Sequence, residues 1–221
     1  MLARRACLQE SSHGSSRALP RRSGVVAQGR LSWLPDTLGP SGRGEMGEGF
    51  RFLSRSPEQT QDLACALARG IDERGVVVAL EGPLGAGKTV FVKGLAAGLG
   101  IDPGSVSSPT FVIASEYEGR VRDGSKRHLV HADLYRVGSA AELEGAGFLD
   151  WIAPGHVVAI EWAERARAAL PQDRLWVTFV AGDTPEGREL VVTAQGAVAE
   201  QALRRWEEAA AGSGEGVGEW A

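Results

Sequence analysis

The run Glu81-Gly82-Pro83-Leu84-Gly85-Ala86-Gly87-Lys88-Thr89 decides how this chain of 221 residues is read. It follows the apolar stretch Val76-Val77-Val78-Ala79-Leu80 and opens into Val90-Phe91-Val92-Lys93-Gly94-Leu95-Ala96-Ala97-Gly98-Leu99. A buried strand, a glycine-rich turn and a helix start are the context in which G-x-x-x-x-G-K-[ST] forms a phosphate-binding loop. Gly82, Gly85 and Gly87 permit backbone angles closed to other residues, so successive N–H groups can turn inward on an anion. The helix beginning near Lys88 adds its free N–H groups and the positive end of its dipole. Lys88 is expected to reach the β- and γ-phosphates, and the Thr89 hydroxyl to be a magnesium ligand. The stretch predicts binding of a nucleoside triphosphate.

Composition sets the frame around that loop. A hydrophobic content of 43% with six Trp supports one packed α/β domain with tails. No apolar run is long enough to span a bilayer. Cys7 and Cys65 match no metal pattern, and with four scattered His they give no zinc site. Together these features lead us to expect a cytoplasmic protein without a membrane partner. The net charge of −4 hides an asymmetry: residues 1–45 carry +4, whereas residues 46–221 carry −8. An acidic body disfavours direct binding of bulk nucleic acid, so any RNA is expected to be held by another protein.

Residues 1–48 are rich in Ser, Gly, Arg and Pro without helix or strand periodicity, and they read as an unstructured extension. Their composition fits a targeting segment, a basic arm or an over-long gene start. The preferred reading starts translation at Met46. Phe50-Arg51-Phe52-Leu53 reads as a strand, followed by a helix capped at Ser54 or Ser56 and running to about Arg69. Downstream, Val106-Ser107-Ser108-Pro109-Thr110-Phe111-Val112-Ile113 reads as a polar turn entering a strand, and residues 118–127 as a hairpin loop. The stretches 128–136 and 157–162 are strands ending in the acids Asp133 and Glu161. In open α/β sheets ligands sit at the carboxyl ends of strands, so these acids are expected to converge beside Thr89. Trp162 would lie next to that cleft. Residues 174–180 and 188–193 alternate like an antiparallel pair, residues 197–210 are helical, and the tail 211–221 reads as frayed. The domain is therefore placed at residues 49–210. Its expected fold is a P-loop NTPase-like α/β/α sandwich of three layers around a mixed sheet.

Further residues carry a family. The loop is joined by Ser108-Pro109-Thr110, His131-Ala132-Asp133-Leu134-Tyr135-Arg136, Glu142-Leu143, Gly147 and Ile160-Glu161-Trp162. In that order and spacing, over roughly residues 50–195, the chain resembles the TsaE family, the ATPases of bacterial tRNA threonylcarbamoyladenosine synthesis. Pro83 departs from the acidic or amide residue usual there; its position supplies mainly backbone shape.

The resemblance implies slow hydrolysis of ATP with Mg2+, in service of the TsaD–TsaB pair that modifies tRNA beside the anticodon. The tRNA would be met only through that complex. It also implies that Gly82 and the run Gly85, Ala86, Gly87, Lys88 and Thr89 cradle the phosphates. Thr89 and Glu161 would hold magnesium, and Asp133 would act through the metal or on the attacking water. The segment with Thr110 would respond to the γ-phosphate, and Thr60 and Trp162 would sit near the base. No obvious in-chain arginine finger stands out, although Arg136 is a candidate. Phe148, Trp151 and the helix around Glu142 are expected to contribute a partner surface.

Three rival functions share the same loop or the same binding step. A small-molecule kinase usually carries an Arg-rich lid, and the arginines after the loop form no compact insert. A GTPase would need an N-K-x-D run, which is absent from the sequence. The third is a nucleotide-dependent interaction protein for which hydrolysis is incidental.

Overall fold

A computed structural model of the chain describes residues 49–109, 112–138 and 140–213. The expected extension at 1–48, and the tail beyond residue 213, lie outside the described residues. Seven strands form one sheet in the order β1-β7-β6-β2-β5-β4-β3. They are β1 (Phe50–Ser54), β2 (Val76–Glu81), β3 (Ala114–Arg120), β4 (Lys126–Asp133), β5 (His156–Glu161), β6 (Arg174–Ala181) and β7 (Arg188–Gln195). The helices are α1 (Pro57–Gly70), α2 (Lys88–Gly98), α3 (Ala140–Gly145), α4 (Phe148–Trp151) and α5 (Ala197–Ser213).

The sheet is mixed for a reason visible in the connections. β2, β4, β5 and β6 run parallel, joined by crossovers, and their apolar runs are buried on both faces. β3, β7 and β1 pair antiparallel at the flanks. Parallel neighbours end at the same edge. The register sets Leu80 of β2 beside Glu161 of β5, and Glu161 beside Asp133 of β4. Both acids are thereby delivered to the edge where β2 turns into the loop.

The two faces of the sheet are covered unequally. On one, α1, α2 and α5 bury Val76, Val78, Leu80, Leu175 and Val177. Trp206 of α5 is fully buried there, stacked on Phe52 at 4.1 Å between ring centres, with Phe91 edge-on at 5.8 Å. Each such aromatic contributes about 2–3 kcal/mol by burial. α1 and α2 approach backbone to backbone: a Cβ on Gly94 would lie 2.3 Å from the Gln61 carbonyl oxygen. That contact fixes the height of the helix that starts at Lys88.

The opposite face carries a thinner layer, the short helices α3 and α4 and the 3-10 turn Ala163–Ala166. Leu143, Phe148 and Trp151 pack there onto Val77, Ala79, Val158 and Ile160. This corrects the expectation of a partner surface at Phe148 and Trp151. Both are 5% exposed, and Leu149 and Asp150 between them face solvent.

Three boundaries differ from the sequence reading. The strand anticipated within 106–113 begins only at Ala114. Half of the anticipated loop 118–127 is ladder, with Glu118 opposite His128 and Arg120 opposite Lys126. β3 is an edge strand, and charged residues such as the Glu118–Lys126 pair are at home on an edge. α5 runs three residues beyond position 210, to Ser213.

Candidate nucleotide-binding site

The loop leaves β2 at Glu81 and turns at Gly82, where φ is +152° and a Cβ would come within 2.9 Å of the Phe179 Cβ. No larger residue fits between the loop and β6. Gly87, with φ +104°, precedes α2, and its carbonyl accepts the first helical bond from Phe91 N at 2.9 Å. Lys88 is 4% exposed. Its Nζ donates to the carbonyls of Gly82 at 2.6 Å and Pro83 at 2.9 Å, and stands 3.9 Å from the centre of the Trp162 ring. Pro83 also accepts from Ala86 N at 3.2 Å, so the carbonyl is the part of this residue the loop uses. Burial pushes the Lys88 ammonium below its usual range, opposed by Glu161, Glu164 and Asp133 nearby.

One of the two acids, Glu161, meets the end of this loop. The Thr89 hydroxyl donates to Glu161 Oε1 at 2.7 Å. The same oxygen is 2.8 Å from His131 Nε2, and both His131 and Glu161 are buried. Asp133 is held differently: Oδ2 accepts from the Ser108 hydroxyl at 2.8 Å and Oδ1 from Tyr135 N at 2.9 Å. The Ser-Pro-Thr segment is thus tied to Asp133 through Ser108. Thr110 lies outside the described residues. Arg136 lines, with Asp133, Tyr135, Pro109, Val112 and Glu142, a cavity of about 160 Å³ beside these acids.

Trp162 and Thr60 sit in different surroundings. Among the described residues Trp162 is the one non-glycine with positive φ, at 58°. That conformation turns its ring back over Lys88 and against Tyr135, with ring centres 4.9 Å apart. Trp162 therefore stands at the lysine of the loop. Thr60 is 2% exposed, its hydroxyl 2.7 Å from Ser54 Oγ and 3.3 Å from the Ser56 carbonyl. It closes the start of α1, and the structure does not bring its side chain to the loop.

Two participants escaped sequence reading. Arg188, at the start of β7, donates Nε to the Ala86 carbonyl at 3.0 Å and a terminal nitrogen to the Gly85 carbonyl at 3.4 Å. In a trans peptide the N–H points opposite to the C=O. Drawing these two carbonyls toward Arg188 therefore aims the N–H groups of Ala86 and Gly87 the other way. Glu81 takes Trp176 Nε1 at 2.6 Å and Arg167 at 2.8 Å, and Arg167 lies 3.7 Å over the Trp176 ring. This clamp fixes the end of β2. Neither residue belongs to a local pattern, since each acts across 86 to 103 positions.

The donor set suits a nucleoside triphosphate with magnesium. A buried ammonium, a glycine loop and a helix N-terminus suit phosphates. A threonine hydroxyl and two carboxylates are hard oxygen donors, few enough for an ion that keeps several waters. Glu164, whose Oε2 is buried with no partner among the described residues, has its carboxyl pushed up by burial.

Comparison with known proteins agrees with this geometry. Residues 54–190, more than half of the chain, match the family model described as threonylcarbamoyl adenosine biosynthesis protein TsaE. The tRNA threonylcarbamoyladenosine biosynthesis protein TsaE of Bacillus subtilis is 41% identical over 148 residues, 66% of this chain and 87% of that one. Its counterpart from Treponema pallidum is 40% identical over 123 residues, 56% of this chain and 85% of the other. The crystal structure of Bacillus subtilis YdiB superposes with a TM-score of 0.53 at 34% identity, covering 72% of this chain and 93% of that one. Among the described residues no helix is long and apolar enough to cross a membrane. With the phosphate loop, the two acid-tipped strands and these matches together, the chain belongs to the TsaE family.

Proposed function

We propose that this chain is a magnesium-dependent ATPase that serves the formation of threonylcarbamoyladenosine in tRNA. The observation that carries the reading is the meeting of Thr89, at the N-terminus of α2, with Glu161 at the end of β5, 2.7 Å apart beside Lys88. Phosphoryl transfer asks a protein for positioning and charge neutralisation. Lys88 would exchange the Gly82 and Pro83 carbonyls for β- and γ-phosphate oxygens. The Gly87 N–H, aimed by Arg188, and the N–H groups at the start of α2 would bind the remaining oxygens. Thr89 and Glu161 would hold Mg2+, with Asp133 close by; the ion supplies neutralisation of phosphate charge. Asp133, fixed by Ser108 and Tyr135 N, would orient the attacking water.

The names of the relatives supply the biological setting. In our reading the chain acts on a TsaD–TsaB transferase in the cytoplasm and meets tRNA only through that complex, in keeping with the acidic body. Trp162 and Tyr135 would report the state of the phosphate end. Calorimetric titration of ATP into the full chain tests the reading. Stoichiometric binding that needs Lys88, and whose strengthening by Mg2+ is lost with Glu161→Ala, is expected. Absence of ATP binding overturns it.

A further inference from the structure

His131 is fully buried on β4, and the reading above gives it no task. Its Nε2 lies 2.8 Å from Glu161 Oε1, the same oxygen that accepts from Thr89 Oγ1 at 2.7 Å. Both hydrogen bonds to this carboxylate therefore fall on one of its two oxygens. A carboxylate only accepts, so Nε2 carries the proton of that bond. Nδ1 is buried with no partner among the described residues. A bare lone pair there is less costly than an unsatisfied N–H, and this selects the same tautomer.

From this geometry we propose that His131 is a positioning residue that pins Glu161 Oε1 and so presents Oε2 to the magnesium ion; this rests on the ATPase reading above. A carboxylate at the end of a strand can rotate about its terminal bond. Two donors converging on one oxygen remove that rotation. The Thr89 hydroxyl, having donated its proton to Oε1, keeps its lone pairs for a cation. Such outer partners of metal ligands set both orientation and affinity. The plainer role for His131, a buried polar pair that merely stitches β4 to β5, would affect stability without touching the metal.

The test measures the Mg2+ concentration needed to half-saturate ATP binding by the full chain, using a fluorescent ATP analogue, alongside binding without Mg2+. His131→Leu is expected to raise the Mg2+ requirement about 10- to 100-fold and to leave Mg2+-free binding unchanged. His131→Gln, which keeps an N–H near the Nε2 position, is expected to recover most of the loss. An unchanged Mg2+ requirement in a folded His131→Leu overturns the proposal, as does an equal loss of binding with and without Mg2+. Should that variant not fold, long-range proton–nitrogen correlation on the wild-type imidazole decides. A proton on Nε2, with a signal that moves when Mg2+ is added to the ADP-bound chain, supports the proposal. A proton on Nδ1, or a signal indifferent to Mg2+, overturns it. If the wild-type chain binds no nucleotide, the ATPase reading falls and this proposal with it; if wild type needs Mg2+ and the variants need it equally, only this proposal falls.

Discussion

Thr89 and Glu161 stand 72 positions apart in sequence, yet the hydroxyl of one donates to the carboxylate of the other at 2.7 Å. The contact joins the helix that follows the glycine loop to the neighbouring parallel strand, the two sides between which a phosphate-bound cation would sit. Removing the charge from one side should therefore separate binding from hydrolysis. Glu161→Gln is expected to retain ATP binding, because Lys88 and the loop are intact, and to lose at least about 100-fold in hydrolysis rate. Steady-state phosphate release and equilibrium binding, measured on one preparation, check it.

Lys88 is a buried cation whose folded-state pKa is lowered, so the fold carries a cost for keeping it charged. Its unfolded form binds the proton more tightly, and stability from this group rises as pH rises toward 10.5. Lys88→Met is accordingly expected to abolish phosphate binding while stabilising the chain by about 1 kcal/mol. Thermal melting at neutral pH should show a Tm higher by about 2–4 °C.

Arg188 holds the Ala86 and Gly85 carbonyls from outside the loop. Arg188→Ala should loosen the nest and weaken ATP binding about tenfold, the equivalent of one lost charge-assisted hydrogen bond. Arg188→Lys should not restore it, because a single ammonium cannot span both carbonyls in the planar geometry of a guanidinium. Titration of ATP into both variants is the measurement.

What was legible in the sequence and what was not divides along physical lines. The loop, its strand and its helix are consecutive, and their φ-permissive glycines and apolar runs are local signals. So are the acid-tipped strands ending at Asp133 and Glu161, and the parallel register that joins them follows from crossover topology. The alternation of 174–180 and 188–193 signals the pairing of β7 with β6, but Arg188 at the loop and the Glu81–Trp176–Arg167 clamp also depend on β6 lying beside β2, and no periodicity announces that. Phe148 and Trp151 were misread because an amphipathic segment looks the same whether its apolar side meets a partner or this chain's own sheet. The turn of Trp162 onto Lys88 comes from a single left-handed residue, for which a tryptophan gives no sequence cue.

Two carboxyls give opposite pH dependences. Burial raises the Glu164 carboxyl above its ordinary 4.5, so the folded chain holds the proton longer. Stability from this group falls as pH rises from 4.5 through the folded-state value, and Glu164→Gln should remove that slope. Asp72 is held down to about 2, chiefly by its hydrogen bond with Arg74. Its contribution is present above 3.8 and lost as pH falls toward 2, and Asp72→Asn should flatten that acid limb. Denaturant midpoints between pH 2 and 7 for the two variants and the parent check both signs.

The most direct measurement is ATP hydrolysis by the full chain with Mg2+, alone and with purified TsaD–TsaB from the same organism. The account predicts slow turnover alone, acceleration by the pair, and loss of both in Lys88→Ala. Turnover indifferent to the pair, with the γ-phosphate passed to a small metabolite, would contradict it and make the chain a kinase built on the same loop.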